Sequence, residues 1–210
     1  MTAAGFDGVY RSSTSFYGDK PSPSLVQYLE KYHVAGDGAG LDLGCGQGRN
    51  ALFLAQRGFA MTAVDGSAEA IASLGEAADE RRLNVSGRVA DLAGLELEPG
   101  RFRLIVANTS LDHLGADEGE ALARQMAAAL EPGGHLFVSV FTVDDPGCDA
   151  LGRVASETAS YVKHYYQPGE LRRQFSALSL LAYQEEYALD VGHGQPHYHG
   201  IARLFARRDH

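Results

Sequence analysis

Three residue groups in this sequence have types and spacings that could do chemistry. The turn Gly44-Cys45-Gly46-Gln47-Gly48 places three glycines at alternate positions, straight after the apolar run Leu41-Asp42-Leu43 and straight before an amphipathic stretch. Glycine tolerates positive φ and lets a ligand reach the backbone without meeting a Cβ. Asp65 lies 17 residues beyond Gly48, at the end of a second apolar run, and Asp91 ends a third. A carboxylate at the first of these places can accept both hydroxyls of a ribose, and one at the second can accept an adenine amino group. The glycine spacing is G-x-G-x-G, which overlaps the G-x-G-x-x-G turn that seats a pyrophosphate on a helix N-terminus without reproducing it. A nucleoside without a phosphate, carrying an amino-acid tail beside the turn, fits this pattern. Glycine-rich turns also serve purely structural ends, and it is the two acids at successive strand ends that single this one out.

Beyond the turn, His113 follows a fourth apolar run in Asn108-Thr109-Ser110-Leu111-Asp112-His113. Two readings compete there: a general base at the substrate, or a loop histidine paired with Asp112 or with backbone. His193, His197 and His199 cluster within seven positions. Two of them, at i and i+2, point to one face of a strand. Three readings stay open for the cluster: a divalent metal site, a polar wall of the substrate pocket, or a solvent-facing edge. Metal ranks last, because no acidic or cysteine partner lies at ligand spacing nearby, and the expectation is a site without metal. Arg172 and Arg173 could attract an oxyanion or could simply be solvated on a helix surface. Tyr17 either closes over the ligand or belongs to a disordered arm.

These groups need a scaffold that brings successive strand ends together. The first 20 residues or so read as a poorly regular arm, followed by a helix that Ser24 would cap. From Gly40 onward strands and helices alternate, with strands expected at 41–43, 61–64, 85–90, 102–107 and 136–141. Helices are expected after the glycine turn (closed by Gly58) and over 68–82 and 117–130, the last stopped by Pro132-Gly133-Gly134. Residues 144–159 lack a period and read as a loop or irregular helix. A short helix over 168–175 precedes strands at 178–187 and 199–206. The alternation predicts an α/β, Rossmann-like doubly wound sheet, mostly parallel, with an antiparallel C-terminal edge hairpin. Ligands of such sheets bind beyond the carboxyl ends of the strands.

Composition narrows the function further. The chain of 210 residues has 18 basic and 27 acidic side chains, a formal charge of −9. That surface repels phosphate backbones, so a small-molecule substrate is expected and nucleic acid is not. No apolar run is long enough for a bilayer span and no secretory leader is visible, so no membrane partner is expected. The two cysteines, Cys45 and Cys148, lack Cys-x-x-Cys spacing, which favours a reducing, cytoplasmic setting. Residues 1–210 are expected to form a single domain, with 1–35 as an arm and helix over the ligand site. Nothing bears on oligomeric state.

Leu41-Asp42-Leu43-Gly44-Cys45-Gly46-Gln47-Gly48 resembles the first motif of class I S-adenosylmethionine-dependent methyltransferases. Val64-Asp65, Ala90-Asp91-Leu92 and Leu130-Glu131-Pro132-Gly133-Gly134 resemble further motifs of that family, which together span about half the chain. The stretch from Gly46 to Ala55, with its Arg49-Asn50 pair, and the later Gly169-Glu170-Leu171-Arg172-Arg173 are similar to the tellurite-resistance methyltransferases. The resemblance implies S-adenosylmethionine as cofactor. Gly44, Cys45 and Gly46 would pack against its methionine portion with Asp42 beneath, and Asn50 nearby. Asp65, with Gly66 and Ser67, would hold the ribose, Asp91 and Leu92 the adenine, and Asn108 would offer its carbonyl to the ammonium. The acceptor would be a small molecule, with a chalcogen oxyanion such as tellurite or selenite leading. Methyltransfer to another oxygen, nitrogen or thiol acceptor, or cofactor binding without catalysis, are the alternatives. Tyr17, Arg172, His193, His197 and His199 are the expected substrate contacts, and His113 the candidate base.

Overall fold

The computed structural model describes residues 4–11, 16–148, 161–190 and 196–209. In chain order these form α1 (Ala4–Arg11), α2 (Pro23–Lys31), β1 (Ala39–Leu43), α3 (Arg49–Gln56), β2 (Ala60–Asp65), α4 (Ala68–Arg81), β3 (Val85–Val89), β4 (Phe102–Asn108), α5 (Ala116–Ala129), β5 (Leu130–Phe141), α6 (Glu170–Gln174), β6 (Ser179–Asp190) and β7 (His197–Arg207). The seven strands form one sheet in the order β3-β2-β1-β4-β5-β7-β6. The first five are mutually parallel, and β7 runs antiparallel to both β5 and β6. The doubly wound sheet with an antiparallel C-terminal edge is therefore as expected. Strand order reverses between β2-β1 and β4, which opens a crevice at the carboxyl ends of these strands.

The central strands are buried on both faces, as parallel strands covered by crossover helices must be. Side chains alternate with period two. Leu104 and Val106 pack with Phe137, Phe205, Leu54, Leu74 and Leu29, beneath α2, α3 and α4. Ile105 and Ala107 face the other way, against Leu136, Val138, Leu122 and Met126 of the α5 side.

Several local expectations change. The arm is not irregular throughout, because residues 4–11 form a helix. Eight residues are too few for a stable isolated helix, and this one is tied down by tertiary contacts: Ser67 Oγ donates to Asp7 Oδ1 at 2.5 Å, and Arg11 pairs with Glu69 at 3.5 Å. Helix α2 starts at Pro23 with Ser22, not Ser24, at its N-cap, because the fixed φ of proline suits the first helical position. Strand β5 begins at Leu130 instead of 136, since Leu130 and His135 pair with Phe102 and Leu104 of β4 across a register shift. Strands β6 and β7 extend beyond the expected 178–187 and 199–206.

The turn after β1 is held from beneath. Gly44, Gly46 and Gly48 all take positive φ, at 66°, 53° and 85°. A Cβ on Gly44 would stand 2.4 Å from the Ser110 Cβ, so this turn packs directly on the exit of β4. Asp42 lies below, fully buried, and accepts a backbone hydrogen bond from Ala51 in the first turn of α3. Burial pushes its carboxyl up to about 7, against the pull of that hydrogen bond and of Arg49.

Two expectations follow. Gly44→Ala combines left-handed strain with a steric overlap at a rigid Cβ, and should lower unfolding free energy in urea by about 2–4 kcal/mol. An unchanged midpoint would refute the packing argument. Asp42 protonates more readily in the fold than in the unfolded chain, so the stability it contributes is full below about pH 4. That contribution is lost as pH rises through about 7. Asp42→Asn, which keeps the acceptor without the charge, should therefore gain on the wild type between about pH 5 and pH 8, and a Tm difference flat with pH would contradict it.

Candidate functional site

At the carboxyl edge of β1, β2, β3 and β4 lies a cavity of about 240 Å³. Gly44, Cys45 and Gly46 form one wall; Asp65, Gly66 and Ser67 follow β2; Asp91 and Leu92 follow β3; Asn108 ends β4; and Asn50 enters from α3. Ten of the eleven residues expected at the cofactor thus face one cavity. The eleventh, Asp42, is buried under the turn, where it holds the amide of Ala51 and has no place in the cavity lining.

Asp65 organises this wall. Its Oδ2 accepts the Gly46 amide at 2.8 Å and its Oδ1 the Ser67 amide at 2.9 Å. Burial raises its pKa, and the two amides act against that rise. Ser67 Oγ in turn accepts from Ala70 N at 3.2 Å, capping α4. Asp91 caps the short turn at 92–94 through Ala93 N at 3.0 Å. Asn50 Oδ1 accepts from Ser22 N at 2.9 Å, fixing the approach to α2.

His113 lines the same cavity. Its Nδ1 stands 3.0 Å from the Tyr161 carbonyl oxygen. A carbonyl can only accept, so Nδ1 carries the proton and Nε2 is the basic nitrogen of the neutral ring. Of the two partners considered for this histidine, backbone is hydrogen-bonded, while the Asp112 carboxyl feels the ring electrostatically. Asp112 is instead fully buried and serves the backbone: its Oδ2 accepts from Phe141 N at 3.0 Å, and its carbonyl accepts from Lys163 N at 2.9 Å and His164 N at 3.1 Å. That arrangement draws residues 161–166 across the ends of β4 and β5, and delivers Lys163 to the cavity.

Tyr17 lines the cavity, and Tyr10, Arg49, Thr109, Ser110 and Lys163, none of them among the expected site residues, line it too. Tyr10 is buried, and its hydroxyl would stand 2.9 Å from a Cβ on Gly46. Burial pushes that phenol far above its usual range, with Asp65 adding to the effect. Arg49 donates to the Tyr17 carbonyl at 2.9 Å. Burial draws its guanidinium down while Asp190 and Asp42 hold it up. Thr109 adopts φ 49°, an uncommon conformation for a β-branched residue, which costs energy and clusters at functional sites. Helix α1 and the 3.6-residue period could not reveal Tyr10, since eight residues give too short a pattern. The run Asn108-Thr109-Ser110 did lie next to a predicted strand end, which was a usable signal.

Among the described residues, the expected substrate contacts on the C-terminal half do not line this cavity. Arg172 is exposed on α6 and not in the cavity wall, because Leu171 takes the buried position on that short helix. His197 and His199 do not line the cavity either. They sit on β7, two strands away from β4, where His199 packs on Phe141 at 4.6 Å between ring centroids. His193 lies outside the described residues. The premise that no acid stands near these histidines also fails, since β6 pairs Asp190 directly with His197. No described helix is long and apolar enough to cross a membrane.

Comparison with known proteins places this geometry. Residues 41–134 match the family described as Methyltransferase domain. The chain is 32% identical over 123 residues to the 2-heptyl-1-hydroxyquinolin-4(1H)-one methyltransferase of Mycobacteroides abscessus, covering 58% of this chain and 53% of the relative. It is 30% identical over 131 residues to the probable S-adenosyl-L-methionine-dependent methyltransferase TehB of Haemophilus influenzae, covering 62% of this chain and 45% of the relative. The chain thus spans about half the length of these curated relatives. The crystal structure of TehB superposes with a TM-score of 0.73 at 22% identity, over 90% of this chain and 63% of that one. A structure from work on the conversion of a disulfide bond into a thioacetal group during echinomycin biosynthesis gives 0.69 at 25% identity, over 99% of this chain and 93% of that one. The glycine turn, the acids after β2 and β3, and these matches agree: residues 41–134 are similar to the methyltransferase domain family, and the chain shares the fold of S-adenosylmethionine-dependent methyltransferases.

Proposed function

We propose that this chain transfers the methyl group of S-adenosylmethionine to a small-molecule acceptor, and that a chalcogen oxyanion such as tellurite or selenite is the acceptor class. The observation that carries the reading is the convergence of the glycine turn, Asp65, Asp91, Leu92 and Asn108 on one cavity of about 240 Å³. The donor set suits this cofactor. Each Asp65 oxygen already holds one backbone amide and keeps acceptor capacity for a ribose hydroxyl. Asp91 can accept an adenine amino group, Leu92 offers an apolar contact, and the Asn108 carbonyl can meet an ammonium. When bound, S-adenosylmethionine supplies an electrophilic methyl carbon on a sulfonium.

The protein's task is then alignment and exclusion of water. Tyr10 and Tyr17 cover the glycine turn, and Arg49 and Lys163 bring positive charge to the cavity of an acidic protein. These two cations, rather than Arg172, would draw an oxyanion in. A soft chalcogen lone pair needs no deprotonation, so His113 would not be required for it. The sequence resemblance to tellurite-resistance enzymes supports this acceptor. A second reading rests on His113, whose Nε2 could take a proton from a hydroxyl acceptor, and on the hydroxyquinolinone methyltransferase among the relatives. Free Cys45 and Cys148 suit a reducing compartment, which supports a cytoplasmic location.

Calorimetric titration with S-adenosylmethionine should give saturable binding that Asp65→Ala weakens at least about tenfold, with no binding of NAD. Binding of NAD alone would overturn the reading. With cofactor bound, His113→Asn separates the acceptors. Methylation of tellurite or selenite should persist within a few-fold, whereas loss of about 100-fold or more for a hydroxyl acceptor would establish the second reading.

A further inference from the structure

Outside the cavity, Asp190, His197 and His199 bring one ligand atom each within 4.8 Å of one another. Two of these residues are partly exposed and the third, His199, is buried. Their assembly follows from the hairpin. His197 and His199 share a face of β7 because they are two apart, and the antiparallel register sets Asp190 opposite His197. The two Nε2 atoms stand 2.9 Å apart.

The orientation of His199 is fixed from behind. Its Nδ1 lies 2.7 Å from Asp145 Oδ2, and Asp145 is itself buried, with Oδ1 accepting from Gly147 N at 2.7 Å. Gly200 allows this, since a Cβ there would stand 2.4 Å from Asp145 N. An Nδ1–H donated to a carboxylate leaves Nε2 as the electron-pair donor, aimed at His197. A carboxylate behind a histidine in this way is the arrangement that orients metal-ligating imidazoles and raises their basicity.

We propose that Asp190, His197 and His199 form a binding site for a divalent transition-metal ion of the Zn²⁺ class, with Asp145 as the positioning residue behind His199. Two imidazoles and one carboxylate suit zinc and its first-row neighbours better than the oxygen-preferring Mg²⁺ or Ca²⁺. Two donors on one zinc ion, each at about 2.1 Å, stand about 3–4 Å apart. The histidine nitrogens are therefore already near coordination distance, and the metal would compete with Arg49 for the Asp190 carboxylate. Three protein donors leave a coordination position for water or another oxygen donor.

The test uses full-length, tag-free, chelator-stripped protein carrying Cys148→Ser, which removes an exposed thiol as a competing ligand. Zn²⁺ is titrated calorimetrically and Co²⁺ by its visible absorption, both without S-adenosylmethionine. One ion should bind per chain. His197→Gln and Asp190→Asn, at partly exposed positions, should each weaken binding at least about tenfold with an unchanged circular dichroism spectrum, and Asp145→Asn by about 10- to 100-fold. Absence of saturable uptake, or equal uptake by His197→Gln, would overturn the site and leave the pair as a direct imidazole–imidazole hydrogen bond. Because no cofactor is present, this outcome is separable from the fate of the methyltransfer reading.

Discussion

The Asp65 carboxylate ties together two turns that would otherwise be independent. Its oxygens take the amide of Gly46, after β1, and that of Ser67, at the start of α4. The carboxylate is buried, where leaving a charged acceptor unpaired would be costly, so the two turns are pinned to each other and to the end of β2. Everything lining that side of the cavity inherits its position from this clasp: the glycine turn directly, α3 through Gly48, and α1 through the Ser67–Asp7 contact. The ribose contact proposed for Asp65 would thus share one side chain with this structural role, acting through different lone pairs.

A second buried carboxylate organises the opposite side. Asp112 gathers Phe141 N with its side chain and Lys163 N and His164 N with its carbonyl. It thereby joins the end of β5 to the segment that brings Lys163 to the cavity. Asp42 completes the set from below, under the glycine turn. These acids lie near the carboxyl ends of β1, β2 and β4, where amides of nearby turns and helix starts lack sheet partners and can satisfy a carboxylate. The cavity is framed by carboxylates that the fold has committed to backbone, while Arg49, His113 and Lys163 supply the groups that can respond to a ligand.

What was legible in the sequence was local. Apolar alternation in β4 and β5, the glycine spacing and the acids at strand ends carry their own signals, and they located the sheet and most of the cavity lining. The missing parts depend on distant segments meeting. Helix α1 owes its existence to contacts with α4, and Tyr10 and Lys163 reach the cavity only because Gly46 and Asp112 receive them. Adjacent Arg172 and Arg173 gave charge but no direction, and Leu171 decided which side of α6 turned inward. The acid facing His197 escaped notice for a geometric reason: linear spacing does not disclose hairpin register, which here makes Asp190 and His197 immediate neighbours.

The position of Tyr10 has a kinetic consequence. Its hydroxyl occupies the space directly over Gly46, so a molecule seated against that glycine must compete with the side chain of α1 for the same volume. The free energy of undocking α1 is then subtracted from every association at the turn, and the same displaced helix becomes available to expel what has bound. Exchange at this site would be paced by how often a short helix lets go of α4.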